Sequence, residues 1–239
     1  MFLGDYHIHT KFSDGKGSVL DVASEAQRKK LSEIAVTDHG FHIPTMSFKK
    51  FLKAKEECRE AEDKTGIRVF AGVEANVIST DGDLDVPFDK LSEIEYLIAG
   101  FHKFAIPKNA RSFFDAYAVT YFNGLFKTSA EAIERNTRAL LNVIERYPVR
   151  AIAHINHSLK VDVYKVASRC RERGVLVELN AKHLKDLDGE WRALKNSGAS
   201  FVLNSDAHTV AAVGDLGAAL ATALSKGIEK ERIVNYIGE

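Results

Sequence analysis

The sequence has little of what marks a secreted, membrane-bound or nucleic-acid-coating protein. Only two of its 239 residues are cysteine. Cys58 and Cys170 sit in charged, helix-like stretches, KEECREAE and ASRCRERG, with no CxxC spacing between them. Both are expected to be free thiols in a reducing cytoplasm. No apolar run nears the ~18 residues of a membrane-crossing helix, so no membrane partner is expected. The opening MFLGDYHIHT has no basic leader ahead of an apolar core, which argues against a signal peptide. Neither sign of charge is in excess, with 33 Lys and Arg against 33 Asp and Glu. Counterion release from a nucleic-acid backbone then has no general basic surface to act through, and long nucleic acid is disfavoured as a partner. No Pro-, Gly- or Ser-rich linker and no repeat of fixed period interrupts the chain, so one domain over residues 1–239 is expected. Oligomeric state has no signature here.

What the chain does have is alternation. Short apolar runs at Leu3 to Ile8, Glu33 to Thr37, Ile67 to Val73, Tyr96 to Phe101, Val149 to Ile155, Val175 to Leu179 and Ser200 to Asn204 read as seven buried strands. Helical patterns lie between most of them. Ser18 to Asp21 and Thr128 to Glu131 read as capping boxes. Ser47 to Lys64 reads as a helix stopped by Gly66, and Val163 to Cys170 as one ended by Gly174. Glu190 to Asn196, Ala211 to Ser225 and Glu229 to Tyr236 complete the expected helices. Repeated βα order implies an α/β protein with a parallel sheet, open or closed into a barrel. The stretch from Lys103 to Lys127 breaks the rhythm with seven aromatic residues and is expected to be a packed lid or an extra helix.

The chemistry collects where strands end. His7 and His9 close the first run, Asp38 and His39 the second, Glu74 the third, His102 the fourth and His154 the fifth; Asp206 and His208 follow the last. In parallel α/β folds these ends converge on one face, which carries the site. A lone His after a strand is ordinarily a hydrogen-bonded loop residue, but six of the nine histidines fall at such ends. Imidazole and carboxylate without thiolate suit Zn, Mn, Fe or Co. Side chains two apart on a strand share a side, so His7 and His9 can hold one ion, and Asp206 and His208 have the same spacing. Glu74 can bridge two cations. Ions roughly 3.5–4 Å apart can clamp the attacking and leaving oxygens of a phosphoryl centre.

Taken in order, His7-Ile-His9-Thr10, Ser13-Asp14-Gly15, Thr37-Asp38-His39-Gly40, Gly72-Val73-Glu74, Gly100-Phe101-His102, His154 and Asn204-Ser205-Asp206-Ala207-His208 resemble the motifs of the PHP (polymerase and histidinol phosphatase) superfamily. The run GVEANVISTDGDLD and the later YLIAGFH resemble its small stand-alone bacterial phosphatases. The resemblance implies a distorted seven-stranded (β/α)7 TIM-like barrel. It implies a metal-dependent phosphoesterase that hydrolyses a small phosphate monoester with metal-activated water. Two to three divalent ions, zinc, manganese or iron, are implied as cofactors. By resemblance His7, His9, Glu74 and Asp206 hold one ion, Glu74, His102 and His154 a second, and Asp14, His39 and His208 a third. His7, His9, Glu74, Asp206 and His208 then carry catalysis.

Asp38, His157 and His183 are candidates for the acid that assists the leaving group, with Asp38 also expected to orient a ligand imidazole. Lys11, Lys103, Arg111, Lys160 and Lys182 are candidates for phosphate binding, against the plainer reading of solvated charges. The chain departs from the family after His154, where Ile155-Asn156-His157 replaces a Pro-Gly turn, and in its long aromatic stretch. A nuclease, a histidinol-phosphate phosphatase and a metal-stabilised binding module without turnover stand as the alternatives.

Overall fold

Each apolar run becomes a strand, and every pairing between neighbours is parallel. The computed structural model describes residues 1–43, 45–102, 106, 108 and 128–238. Lys103, Arg111 and the aromatic residues between 104 and 127 lie outside the described residues. The strands are β1 (Gly4–Ile8), β2 (Glu33–Val36), β3 (Arg68–Asn76), β4 (Tyr96–Gly100), β5 (Ala151–Ile152), β6 (Leu176–Asn180) and β7 (Phe201–Asn204). They pair in sequence order from β1 to β7.

The ring closes with little backbone help. One parallel bridge, Ile8 to Ala207, joins the first strand to the chain after the last. Side chains stitch the rest of that seam. Asn235 accepts from the Leu203 N–H (3.0 Å) and donates to the carbonyls of Gly4 (2.9 Å) and Leu203 (2.7 Å). Asn204 Oδ1 accepts from the Tyr6 N–H at 2.9 Å, and Asp5 accepts from the Ser205 N–H at 3.0 Å. The result is the distorted, nearly closed (β/α)7 barrel that the resemblance implies.

Among the described residues six helices cover it: α1 (Val19–Arg28), α2 (Phe48–Thr65), α3 (Ala130–Arg146), α4 (Val163–Arg173), α5 (Trp191–Ser197) and α6 (Gly217–Ser225). Ser18 caps α1 with the reciprocal Asp21 box, Ser47 caps α2, and Gly66 ends it in a left-handed conformation at φ 73°. The cap of α3 is Ser129, one residue later than the box starting at Thr128. The Ala211 to Ser225 helix is shortened because Gly214 takes φ 70° and breaks it. The Glu229 to Tyr236 helix reduces to a single 3-10 turn, Lys230–Arg232, because Asn235 is used to stitch the seam. Both cysteines are buried and free on helix faces. Among the described residues no helix is long and apolar enough to cross a membrane.

The barrel interior has two layers. Tyr6, Ala35, Ile98, Ala151, Ala153 and Val202 form an apolar plug, with Phe70, Tyr96 and Leu176 packed against it. Two residues further along the strands the inward positions turn polar. Leu176 is followed by Glu178, Val202 by Asn204, and Phe70 by Gly72 and Glu74. β1 needs a special device to fit both layers. Its register against β2 shifts between Asp5 and Ile8, so Tyr6 fills the plug while His7 and His9 still reach the polar layer. A bulge re-aims side chains in this way.

Candidate metal centre

Glu74, 1% exposed, stands at the centre of the polar layer. Its Oε1 lies 2.6 Å from His154 Nε2, 3.0 Å from His102 Nε2 and 3.2 Å from His7 Nε2. Its Oε2 lies 3.0 Å from His39 Nδ1 and 3.5 Å from His9 Nε2. Five imidazoles therefore surround one carboxylate. Asp206 closes the group from the far side of the seam, its Oδ1 3.6 Å from His9 Nε2 and 3.2 Å from His208 Nδ1. Asp14 reaches in from the loop after β1, 3.5 Å from His39 Nε2 and 3.3 Å from His208 Nε2. All nine residues picked as ligands are thus in one place, and all but the fully buried His7 line a cavity of about 480 Å³.

Local chain geometry explains how they get there. Gly15 lets the loop fold back on β1, because a Cβ there would meet the His9 carbonyl at 2.2 Å. Gly100 leaves room for the His154 ring, which a Cβ would meet at 2.8 Å. His154 and Asp206 both take positive φ, 25° and 54°, turning their side chains off the strand direction. With Asn156 at φ 69°, this also cuts β5 to two residues, against the seven expected.

Several buried atoms of the cage make no hydrogen bond. Glu74 Oε2 and the Nδ1 atoms of His9, His39, His102 and His154 are buried without a hydrogen bond. Unpaired buried polar atoms are rare and costly, and five in one cage call for an explanation such as an ion. His7 Nε2 and His9 Nε2 stand 3.2 Å apart, close enough for both to reach one cation. Donor atoms group within 4.8 Å as His9, Asp14, His39 and His208; as His7, His9 and Asp206; as His7, Glu74 and His154; and as His39, Glu74 and His102. The residues present fit a cluster of divalent ions.

Electrostatics separates neighbours on one strand. Burial disfavours a charged His7, but Glu178, Glu74 and Asp206 outweigh it and raise its pKa well above the usual value. Burial, with His39 adding repulsion, drives the His9 pKa well below it. Burial also pushes His102 down to about 4, against the pull of Glu74. Burial opposes the charge on Asp206, yet His7 and His183 hold it well below the usual carboxylate range.

Some expectations change. Asp38 is buried but touches no ligand imidazole. Its carboxylate accepts from the Thr10 N–H (2.8 Å), the Thr10 hydroxyl (2.6 Å) and the Ser13 hydroxyl, so it fixes the loop that carries Asp14. With every contact committed to the loop and no opening to the cavity, it is not placed to serve as an acid. Lys11 and Lys160 are exposed and do not line the cavity, whereas Lys182 does, its Nζ 3.0 Å from His208 Nδ1 and 3.4 Å from Asp206 Oδ1. His157 and His183 also line it. His42 instead borders a separate cavity with Asp85.

Sequence reasoning passed over Glu178. It accepts from His7 Nδ1 at 2.7 Å, from the His154 N–H at 2.7 Å and from the Asn204 amide at 2.9 Å, so it holds two ligands at once. Its signal was a lone carboxylate inside the apolar run Val175 to Leu179.

A parallel barrel with a cage of imidazoles and carboxylates at the C-terminal strand ends defines a class of metal-dependent hydrolases. The chain belongs to the PHP domain family, whose model matches residues 5–193. Relatives include a probable phosphatase of Acetivibrio thermocellus, 29% identical over 89% of this chain and 82% of its own. Another probable phosphatase, from Shewanella piezotolerans, is 28% identical over 98% of this chain and 89% of its own. Among solved structures, histidinol phosphate phosphatase from Lactococcus lactis, complexed with zinc, L-histidinol and phosphate, covers 94% of both chains at 17% identity with a TM-score of 0.61. That likeness extends to the fold.

Proposed function

We propose that this chain is a metal-dependent phosphoesterase, one domain over residues 1–239, that hydrolyses a small phosphate monoester. The observation that carries it is Glu74 with five imidazoles around it and Asp206 and Asp14 closing the same cage. The names of the PHP relatives support the same reaction. Two to three ions, zinc, manganese or iron, would be held by His7, His9, Glu74 and Asp206, by Glu74, His102 and His154, and by Asp14, His39 and His208. Bound there, such ions supply an activated water at neutral pH and charge neutralisation at phosphorus.

The chain's own groups do the remaining work. Neutral His9 and His102 present lone pairs, and Glu178 fixes the ring of His7 through Nδ1. Lys182, at the cavity wall beside His208, binds a non-bridging phosphate oxygen. His7, His9, Glu74, Asp206 and His208 carry the reaction. The complete donor set disfavours a binding module without turnover, and zero net charge disfavours a nuclease. Two buried free thiols fit a cytoplasmic place of action.

The test is metal content by elemental analysis, paired with p-nitrophenyl phosphate turnover before and after chelation. Two to three equivalents and chelator-sensitive turnover are expected. Absence of metal under every reconstitution, or turnover indifferent to chelation in the stripped protein, overturns the reading.

A further inference from the structure

Beside the nine-residue cage stands a second convergence of donors that the family resemblance does not assign. His157 lies in the turn after β5 and His183 in the turn after β6. Their rings face each other with centroids 3.6 Å apart and planes tilted by 36°. Both Nδ1 atoms approach one carboxylate oxygen, since Asp186 Oδ2 is 2.7 Å from His157 Nδ1 and 3.6 Å from His183 Nδ1. One donor atom from each residue falls within 4.8 Å of the other two.

The chain builds this from local turns. Asn156, at φ 69°, redirects the backbone so that the His157 N–H donates to the His154 carbonyl at 3.0 Å. The Asp186 N–H donates to the His183 carbonyl at 3.0 Å, and this i, i+3 turn brings carboxylate and ring to one side. The other ring nitrogen of His183 is also engaged, its Nε2 3.4 Å from Asp206 Oδ2. An imidazole with one nitrogen turned to a donor cluster and the other held by a carboxylate has the arrangement of a metal-ligating His.

A plain hydrogen bond explains only half of this. It pairs His157 with Asp186 and leaves His183 Nδ1 at 3.6 Å, beyond hydrogen-bond reach of the same oxygen. A cation among the three would engage both lone pairs and the carboxylate together. Two His and one carboxylate with an open position is a set that zinc and its first-row neighbours accept. The side chains are 22–34% exposed, so an ion can enter from solvent.

We propose that His157, His183 and Asp186 form an additional divalent-metal site at the wall of the cavity, joined to the main cage through His183 and Asp206. The site goes beyond the proposed hydrolysis and does not depend on it. The test is equilibrium dialysis of the full chain, stripped with chelator, against buffered micromolar free zinc, with bound metal counted for the wild type, His157→Gln and Asp186→Asn. Each variant is expected to bind one equivalent fewer than the wild type. A cobalt-loaded wild-type crystal should show an anomalous peak among the three side chains, which decides the matter even where a variant fails to fold. Wild-type counts in both folded variants, or no anomalous peak there in a crystal whose main cage is loaded, overturns the proposal. The same dialysis on His9→Ala keeps the two readings apart, because an unchanged count in that variant counts against the main cage and leaves the additional site standing.

Discussion

The lower and upper layers of the barrel interior are built on the same strands and differ by one inward step. Below, Tyr6, Ile98, Ala151 and Val202 make a plug with no ionisable group apart from the phenol of Tyr6. Above, His7, Glu74, His154 and Glu178 are as deeply buried and nearly all ionisable. Both layers hold deeply buried side chains, yet only the upper one leaves buried polar atoms without a hydrogen bond. The lower layer gains from burial of apolar area, at about 25 cal/mol per Å². The upper layer spends stability on desolvated charge that only ions and mutual pairing offset. The plug is the rigid base that makes such a cage tolerable, in keeping with sites set on strands being held more firmly than sites on loops.

That division can be broken experimentally. The largest effect is expected from Asp206→Ala. Loss of this ligand should lower phosphatase turnover by at least roughly 10²–10³-fold, the scale of a removed electrostatic stabiliser, and metal analysis should show the loss of bound ion. Near-normal turnover would mean that the upper layer is structural after all. Next is Glu178→Gln, which leaves every ligand in place but weakens the hold on His7 and His154. Metal affinity by chelator competition should fall about 10–100-fold, and unchanged affinity would remove Glu178 from the site. The smallest effect belongs to the plug. Ile98→Val should cost about 0.5–1.5 kcal/mol in urea unfolding with bound metal unchanged, and a drop in metal content would show that the layers are not independent.

Much of this was legible without coordinates. The seven apolar runs and the recurrence of His, Asp and Glu at their ends sufficed for a parallel α/β sheet and for eight of the nine cage residues, because such strand ends converge on one face; the closed barrel and Asp14, which sits in a loop, came from the family resemblance. What escaped depends on pairing. Plain alternation sets Tyr6 and His7 on opposite faces, and the register shift that brings both inward exists only once β1 lies against β2. The shortening of β5 rests on left-handed backbone at His154 and Asn156, residue types that adopt it more often than most yet signal it far less strongly than glycine. Asp38 was expected to orient a ligand imidazole, but its carboxylate accepts from Thr10 and Ser13. Glu178 was visible and overlooked, because a charge in an apolar strand was counted as part of the strand.

The stitched seam between β1 and β7 has a consequence for how the molecule responds to its ions. Neighbouring strands all pair except across this one join, which a single bridge and side chains hold. His7 and His9 stand on one side of it and Asp206 on the other, so an ion shared by the three would act as a clasp across the gap. Filling the cage and shutting the ring then become a single thermodynamic event. A ligand that binds only the shut form stabilises it by RT ln(1 + [L]/Kd), about 4 kcal/mol at a thousandfold excess over Kd. Scarcity of metal would therefore loosen the hoop and cost the chemistry together.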